Sequence, residues 1–176
     1  MPWGYTLGEK DFYPTPAWVT ELLLDRFPPP AGRIVEPCAG AGAIVGELVR
    51  RGHGVWANEI GDGYRDSLVS LIGEHNVSIG DWYDVDRVPD GCTSLITNPP
   101  FSLLPDFAVH CLSMGLEYVA LIMPIGVLFS EERAGFNRKY RPSGMINLVH
   151  RPWPNVRDVS WFVWEAGKEP MPMFSA

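Results

Sequence analysis

"RIVEPCAGAGAIVGELVRRGHGVWANEI", residues 33 to 60, sets the fold. Ile34 and Val35 open a run, 33 to 40, that reads as a buried strand entering a glycine turn. Residues 43 to 52 then space their apolar side chains as a helix does, with Gly52 as a C-terminal stop. Residues 54 to 60 return to a strand. A strand, a helix and a second strand in so short a stretch form a crossover unit with parallel strands.

The rhythm continues on both sides. Downstream, the patterns predict a helix over 64–72, strands over 76–82 and 92–99, and a helix over 103–115. A continuous apolar strand over 118–128, of the kind buried on both faces, and a polar helix over 130–140 come next. Strands over 145–152 and 159–166 close the chain. Upstream, "TPAWVTELLLDRF", 15 to 27, is an added helix that Thr15 can cap, with Pro16 suited to its first turn. The expected fold is α/β: a single Rossmann-like, doubly wound, seven-stranded sheet, mostly parallel with an antiparallel edge strand. Residues 1–176 form one domain in this reading, with no repeat and no separate target-recognition domain.

Bulk properties narrow the class. A chain of 176 residues with 46% hydrophobic and 20% charged side chains can bury one real core. No apolar run approaches the length of a membrane helix, and "MPWGYTLGEKDFYPTP" lacks the regions of a signal peptide, so the expected location is cytoplasmic. Cys38, Cys92 and Cys111 form no CxxC pair and the four histidines are scattered, so no metal is assigned. The net charge of −7 speaks against a protein that grips long stretches of nucleic acid. One segment qualifies this: Arg133, Arg138, Lys139, Arg141, Arg151 and Arg157 occur with no carboxylate among them. Such runs are usually a solvated helix face; here the imbalance keeps a polyanion-facing patch in play.

In doubly wound sheets ligands bind at the carboxyl ends of the strands, where the turn "EPCAGAG", 36 to 42, is placed. Gly40 and Gly42 let the backbone bend and let a ligand approach. With glycines at 40, 42 and 46 this is not the dinucleotide GxGxxG, and the Glu36 carboxylate would repel a pyrophosphate. A ligand with a cation and no phosphate fits better. Glu59 ends the second strand 17 residues after Gly42, where an acid accepts hydrogen bonds from ribose hydroxyls. Asp81 ends the third strand and could accept from an adenine amino group while Trp82 covers the ring. A glycine turn is common and a strand-terminal acid is often only a cap; their order on one sheet describes a pocket for an adenosine with a cationic amino-acid tail. S-adenosylmethionine is such a molecule.

A second feature is "LITNPPF", 95 to 101. The prolines remove donors and restrict the residue before them, so Asn98 is held extended where a strand stops, with an aromatic close behind.

Together, "DFYPTP" (11 to 16), "EPCAGAG", "NEI" (58 to 60), "GDW" (80 to 82) and "NPPF" (98 to 101) resemble the amino-directed, S-adenosylmethionine-dependent class I methyltransferases. The likeness is greatest to the small N6-adenine DNA methyltransferases of phage type, which act in the host cytoplasm, and it spans roughly residues 11 to 166. It implies that Tyr13, Pro14 and Thr15 lie against the methionine end of the cofactor and that Glu36 contacts its amino group. It further implies that Pro37, Ala39, Gly40 and Gly42 form the wall beside it, that Glu59 holds the ribose, and that Asp81 and Trp82 hold the adenine. Asn98, Pro99, Pro100 and Phe101 would be the catalytic loop, with Asn98 also beside the cofactor.

That role explains the loop's composition. An amine conjugated to a base ring is a poor nucleophile because its lone pair is delocalised. The side-chain oxygen of Asn98 and the carbonyl of Pro99 can accept both amine hydrogens, and the prolines fix those acceptors in advance. Phe101 supplies a face on which a flipped base can stack. Cys38 stands where such turns often have glycine and reads as packing, and Phe101 replaces the commoner tyrosine. No insertion is large enough to read a long DNA site, so recognition would be short, loop-borne, or shared with a second copy or a partner subunit. Arg138, Lys139, Arg141, Arg151 and Arg157 could meet phosphates, with Trp153 or Trp161 as a second stacking face. DNA is the expected acceptor; cytosine N4, an RNA base or a protein glutamine would use the same loop. A noncatalytic nucleic-acid-binding subunit with this fold is the alternative of another class, and it has no physical need for Glu36, Glu59, Asp81 and Asn98 together.

Overall fold

A computed structural model of the chain describes residues 13–129, 134–154 and 158–172. Seven strands form one sheet: β1 (Arg33–Glu36), β2 (Val55–Glu59), β3 (Val77–Ile79), β4 (Cys92–Thr97), β5 (Tyr118–Pro124), β6 (Gly144–Asn147) and β7 (Val159–Glu165). Their order is β3-β2-β1-β4-β5-β7-β6. The first five pair in parallel, whereas β7 runs antiparallel to both β5 and β6. The reversed strand thus lies one place in from the edge that β6 forms, and the sheet is the mostly parallel, doubly wound one expected. Strand order reverses between β1 and β4, so the crevice between their carboxyl ends is where a ligand can enter.

Alternation along the strands builds two cores. Ile34, Ile96, Ala120 and Ile122 enter one, and Val35, Leu95, Val119 and Leu121 the other. The first core is covered by α1 (Ala17–Arg26), α2 (Ala43–Arg50) and α3 (Arg65–Ile72); the second takes Phe107, Ala108 and Cys111 of α4 (Asp106–Ser113). Two buried donors fasten α1 to the sheet: Tyr118 Oη donates to the Phe27 carbonyl at 2.8 Å and Trp161 Nε1 to the Val19 carbonyl at 2.9 Å.

Several elements stop earlier than their sequence patterns suggest, each for a local reason. The strand expected over 76–82 ends at Ile79, because Asp81 accepts the Tyr83 amide at 3.0 Å and winds 82–84 into a 3-10 turn. The helix expected over 103–115 begins at Asp106: Pro105 lacks a donor, and a separate 3-10 turn takes Phe101–Leu103. The apolar run 118–128 is strand only to Pro124; Gly126–Phe129 is already helical (α5). The segment 145–152 is strand only to Asn147. Thr15 does not cap α1: Pro16 holds the cap position without a side-chain bond, and Thr15 is buried. Of the polar helix expected over 130–140, Ala134–Lys139 (α6) is helical; Arg133 and Arg157, like Asp11 and Phe12, lie outside the described residues.

Candidate functional site

A cavity of about 360 Å³ opens at the carboxyl ends of β1, β2 and β4. Tyr13, Pro14, Thr15, Glu36, Asn58, Glu59, Asp81 and Asn98 all reach it, although they are spread in sequence from position 13 to position 98.

Glu36 ends β1 and is 2% exposed. Burial pushes its carboxyl well above the ordinary carboxylate range; a hydrogen bond from the Val45 amide opposes this and the charge of Glu59 adds to it. Its Oε2 has no partner. A buried carboxyl with a free oxygen is a poor feature for stability and a good one for receiving a cation.

Glu59 ends β2, where Oε2 accepts the Gly40 amide at 2.7 Å and Oε1 the Gly61 amide at 2.9 Å. These bonds join the turns after β1 and β2 and hold the carboxylate still, while each oxygen keeps acceptor capacity toward the cavity. Gly40 takes φ +51°, a conformation that glycine adopts freely. Asn58, one residue earlier, is 1% exposed and ties the neighbouring loops: Nδ2 donates to the Gly80 carbonyl at 3.1 Å and the Pro37 carbonyl at 3.4 Å. Asn58 stands within the NEI stretch without an expected role, and its Oδ1 is buried without a partner.

Asp81 is half-buried, and Trp82, 3% exposed, packs at 6.3 Å against Trp56 and edge-on at 6.1 Å against His110. Tyr83 also faces the cavity; burial first, then the nearby Asp106 charge, pushes its hydroxyl up to about 12.

The asparagine-proline loop closes the opposite wall. Asn98 Nδ2 donates to the Tyr13 carbonyl at 3.1 Å, while its Oδ1 is buried without a partner. The Tyr13 ring stacks on Phe101 at 6.5 Å and 19° and leans on Trp153 at 5.6 Å. Trp153 Nε1 donates to the Pro14 carbonyl at 2.8 Å.

Other expected site residues lie elsewhere. Gly42 is absent from the cavity wall: a Cβ there would point at Leu71 Cδ1, 2.6 Å away, so this glycine serves the packing of α2 on α3. Pro99 is buried behind the loop, and Phe101 is set back beside Tyr13. Trp161 is 0% exposed with its indole N–H bound to α1, so it offers no face to a ligand. Trp153, 6% exposed, is likewise spent on protein contacts. Arg138, Lys139 and Arg141 are exposed, but α6 runs back against the sheet toward β6, and Tyr140 receives the Trp164 indole at 2.9 Å near the end of β7. They therefore stand at the amino ends of the parallel strands, away from the cavity. The directions of α6 and β6 therefore separate these three from the cavity, contrary to the expectation that they meet the phosphates of a substrate bound there. Arg151, exposed beyond the carboxyl end of β6, is on the cavity side. Among the described residues, no cluster of three His, Cys, Asp or Glu could hold a metal ion, and no helix is long and apolar enough to cross a membrane.

No protein-family model matches the chain, and no curated protein matches it. Solved structures do. An RNA methyltransferase from Salinibacter ruber, in complex with S-adenosyl-L-homocysteine, superposes with a TM-score of 0.59 at 16% identity, covering 90% of this chain and 96% of that one. The 23S rRNA methyltransferase ErmE gives 0.57 at 17% identity over 90% and 69%. A chain assigned as the modification subunit of a type I restriction enzyme from Vibrio vulnificus YJ016 gives 0.60 at 15% over 89% and 44%. At such identities the likeness is one of fold, and the fold is that of the class I methyltransferases.

Proposed function

We propose that the chain is an S-adenosylmethionine-dependent methyltransferase whose acceptor is the exocyclic amine of a nucleobase, N6 of adenine in DNA. One observation carries the reading: three buried, unpartnered acceptor oxygens, Glu36 Oε2, Asn58 Oδ1 and Asn98 Oδ1, belong to residues on the wall of a single cavity. The residues present fit that cofactor. Glu36 suits an ammonium group, Glu59 a ribose, and Asp81 an adenine amine, with Tyr13, Pro14 and Thr15 along the methionine end. When bound, the cofactor supplies a sulfonium methyl.

The chain's own part is to bind and to orient. Asn98 Oδ1 accepts one hydrogen of the acceptor amine and the Pro99 carbonyl the other, so the lone pair turns out of conjugation with the ring. Pro99 and Pro100 hold these acceptors in place before the acceptor arrives, which lowers the ordering cost of the transition state. The spent proton leaves after the amine gains its methyl group and becomes strongly acidic, so no strong base is needed. Phe101 is set back from the cavity and stacks on Tyr13, so its part in supporting a base would be exerted through the Tyr13 ring. Arg151, exposed beyond the carboxyl end of β6, could meet a phosphate on this side.

An RNA base is the second reading, favoured by Phe101 in place of tyrosine and by solved neighbours that are named RNA methyltransferases. Calorimetry with S-adenosylhomocysteine tests the cofactor. Binding by the wild type and its marked weakening in Glu36→Gln are expected, and no binding would remove the basis of the proposal.

A further inference from the structure

Residues 13–16 form an extended strap with no regular structure of its own, and its contacts link the cavity to a side chain placed beyond it. Tyr13 gives its carbonyl to Asn98 Nδ2, and Pro14 gives its carbonyl to Trp153 Nε1. The Trp153 ring also bears on the Tyr13 ring at 5.6 Å. We propose that Trp153 is a positioning residue that sets the orientation of the Asn98 amide through this strap; the inference rests on the methyl-transfer reading and assigns a part of the same site.

The physical reason lies in the amide's two-fold ambiguity. Turning the Asn98 side chain by half a turn exchanges Oδ1 with Nδ2. In one orientation the acceptor amine meets an oxygen; in the other it meets N–H groups that repel its own hydrogens. The bond from Nδ2 to the Tyr13 carbonyl selects the productive orientation, so that carbonyl must itself be held. The strap has few internal means of holding it, whereas Trp153 is buried and supplies a short bond to the adjacent peptide. The fixed φ of Pro14 removes one of the two torsions between these successive carbonyls, which couples their orientations more closely than another residue would. Trp153 thereby acts on chemistry it does not touch.

Trp153→Phe keeps a ring against Tyr13 and removes the indole N–H. Trp161→Phe is the control, since it also loses an indole bond, a more buried one, but one made to α1. Trp153→Phe should lower kcat about fivefold or more with the acceptor KM little changed, and should weaken S-adenosylhomocysteine binding several-fold, whereas Trp161→Phe should change neither. In an Asn98→Ala background, Trp153→Phe should cost no further kcat, because the residue through which it acts is gone. Additive losses, or equal losses from the two tryptophan variants, would overturn the proposal.

A nuclear magnetic resonance readout is independent of turnover. The Asn98 side-chain amide protons should exchange slowly with solvent in the unmodified protein and fast in Trp153→Phe. Fast exchange in the unmodified protein, or no change in the variant, counts against the strap. A shifted amide signal in a protein that binds no S-adenosylhomocysteine would instead count against the methyl-transfer reading alone.

Discussion

At the scale of single residues, Glu36 and Asn98 carry the account, and each makes a separable prediction. The folded state holds a proton at Glu36 more tightly than the unfolded chain does, because burial raises its pKa. The stability from that group is therefore full below the ordinary carboxylate pKa and is lost as pH rises toward the raised value. In the ligand-free protein, Glu36→Gln should melt above the wild type at about pH 8 and match it near about pH 4; a lower melting temperature at both would show that the carboxylate is satisfied without a ligand. Asn98→Ala should keep S-adenosylhomocysteine affinity within about twofold while kcat falls by about 10² to 10³, the usual cost of removing one preorganised transition-state partner. A collapse of cofactor binding in that variant would mean that Asn98 holds the ligand and does not activate the acceptor. The sequence pointed to Glu36, Glu59, Asp81 and Asn98 because each stands beside a turn or proline: Glu36 and Glu59 end β1 and β2, Asn98 follows β4 directly, and Asp81 lies two residues beyond β3. It did not point to Asn58, since what fixes it are backbone carbonyls of two other loops, which no local pattern reveals.

At the scale of elements, the glycine turn shows how similar residues do different work. Gly40 borders the cavity, but Gly42 sits at φ +89° and any side chain there meets α3. Gly42→Ala should cost about 1–3 kcal/mol in urea unfolding, from backbone strain and the clash with Leu71 together. Gly46→Ala, inside α2 with nothing within 4 Å of the added Cβ, should stabilise by up to about 1 kcal/mol. A neutral Gly42→Ala would contradict the packing role. Strands and helices could be read in order because burial on both sheet faces leaves continuous apolar runs. Their ends could not, because the Asp81 carboxylate winds a turn after β3, Pro105 delays the start of α4, and the chain turns after Pro124, none of which periodicity records.

At the scale of the whole molecule, the direction of one helix reassigns the basic residues. Arg138, Lys139 and Arg141 are close in sequence to the segment that returns to the cavity, yet the chain carries them to the opposite end of the sheet. Replacing all three with alanine should leave nucleic-acid affinity and its salt dependence unchanged, whereas Arg151→Ala should reduce the slope of log K against log salt by about one. A fall confined to the triple variant would place the nucleic acid across the far end. The central claim, transfer of a methyl group to an adenine amine in DNA, is tested most directly with S-adenosylmethionine labelled in its methyl group. The protein is offered DNA, RNA and protein together, and each is then digested to its units. Label in N6-methyldeoxyadenosine, abolished by Asn98→Ala, is expected; label confined to RNA or to protein, or no transfer to any acceptor by a protein that binds the cofactor, would rule out methyl transfer to DNA adenine.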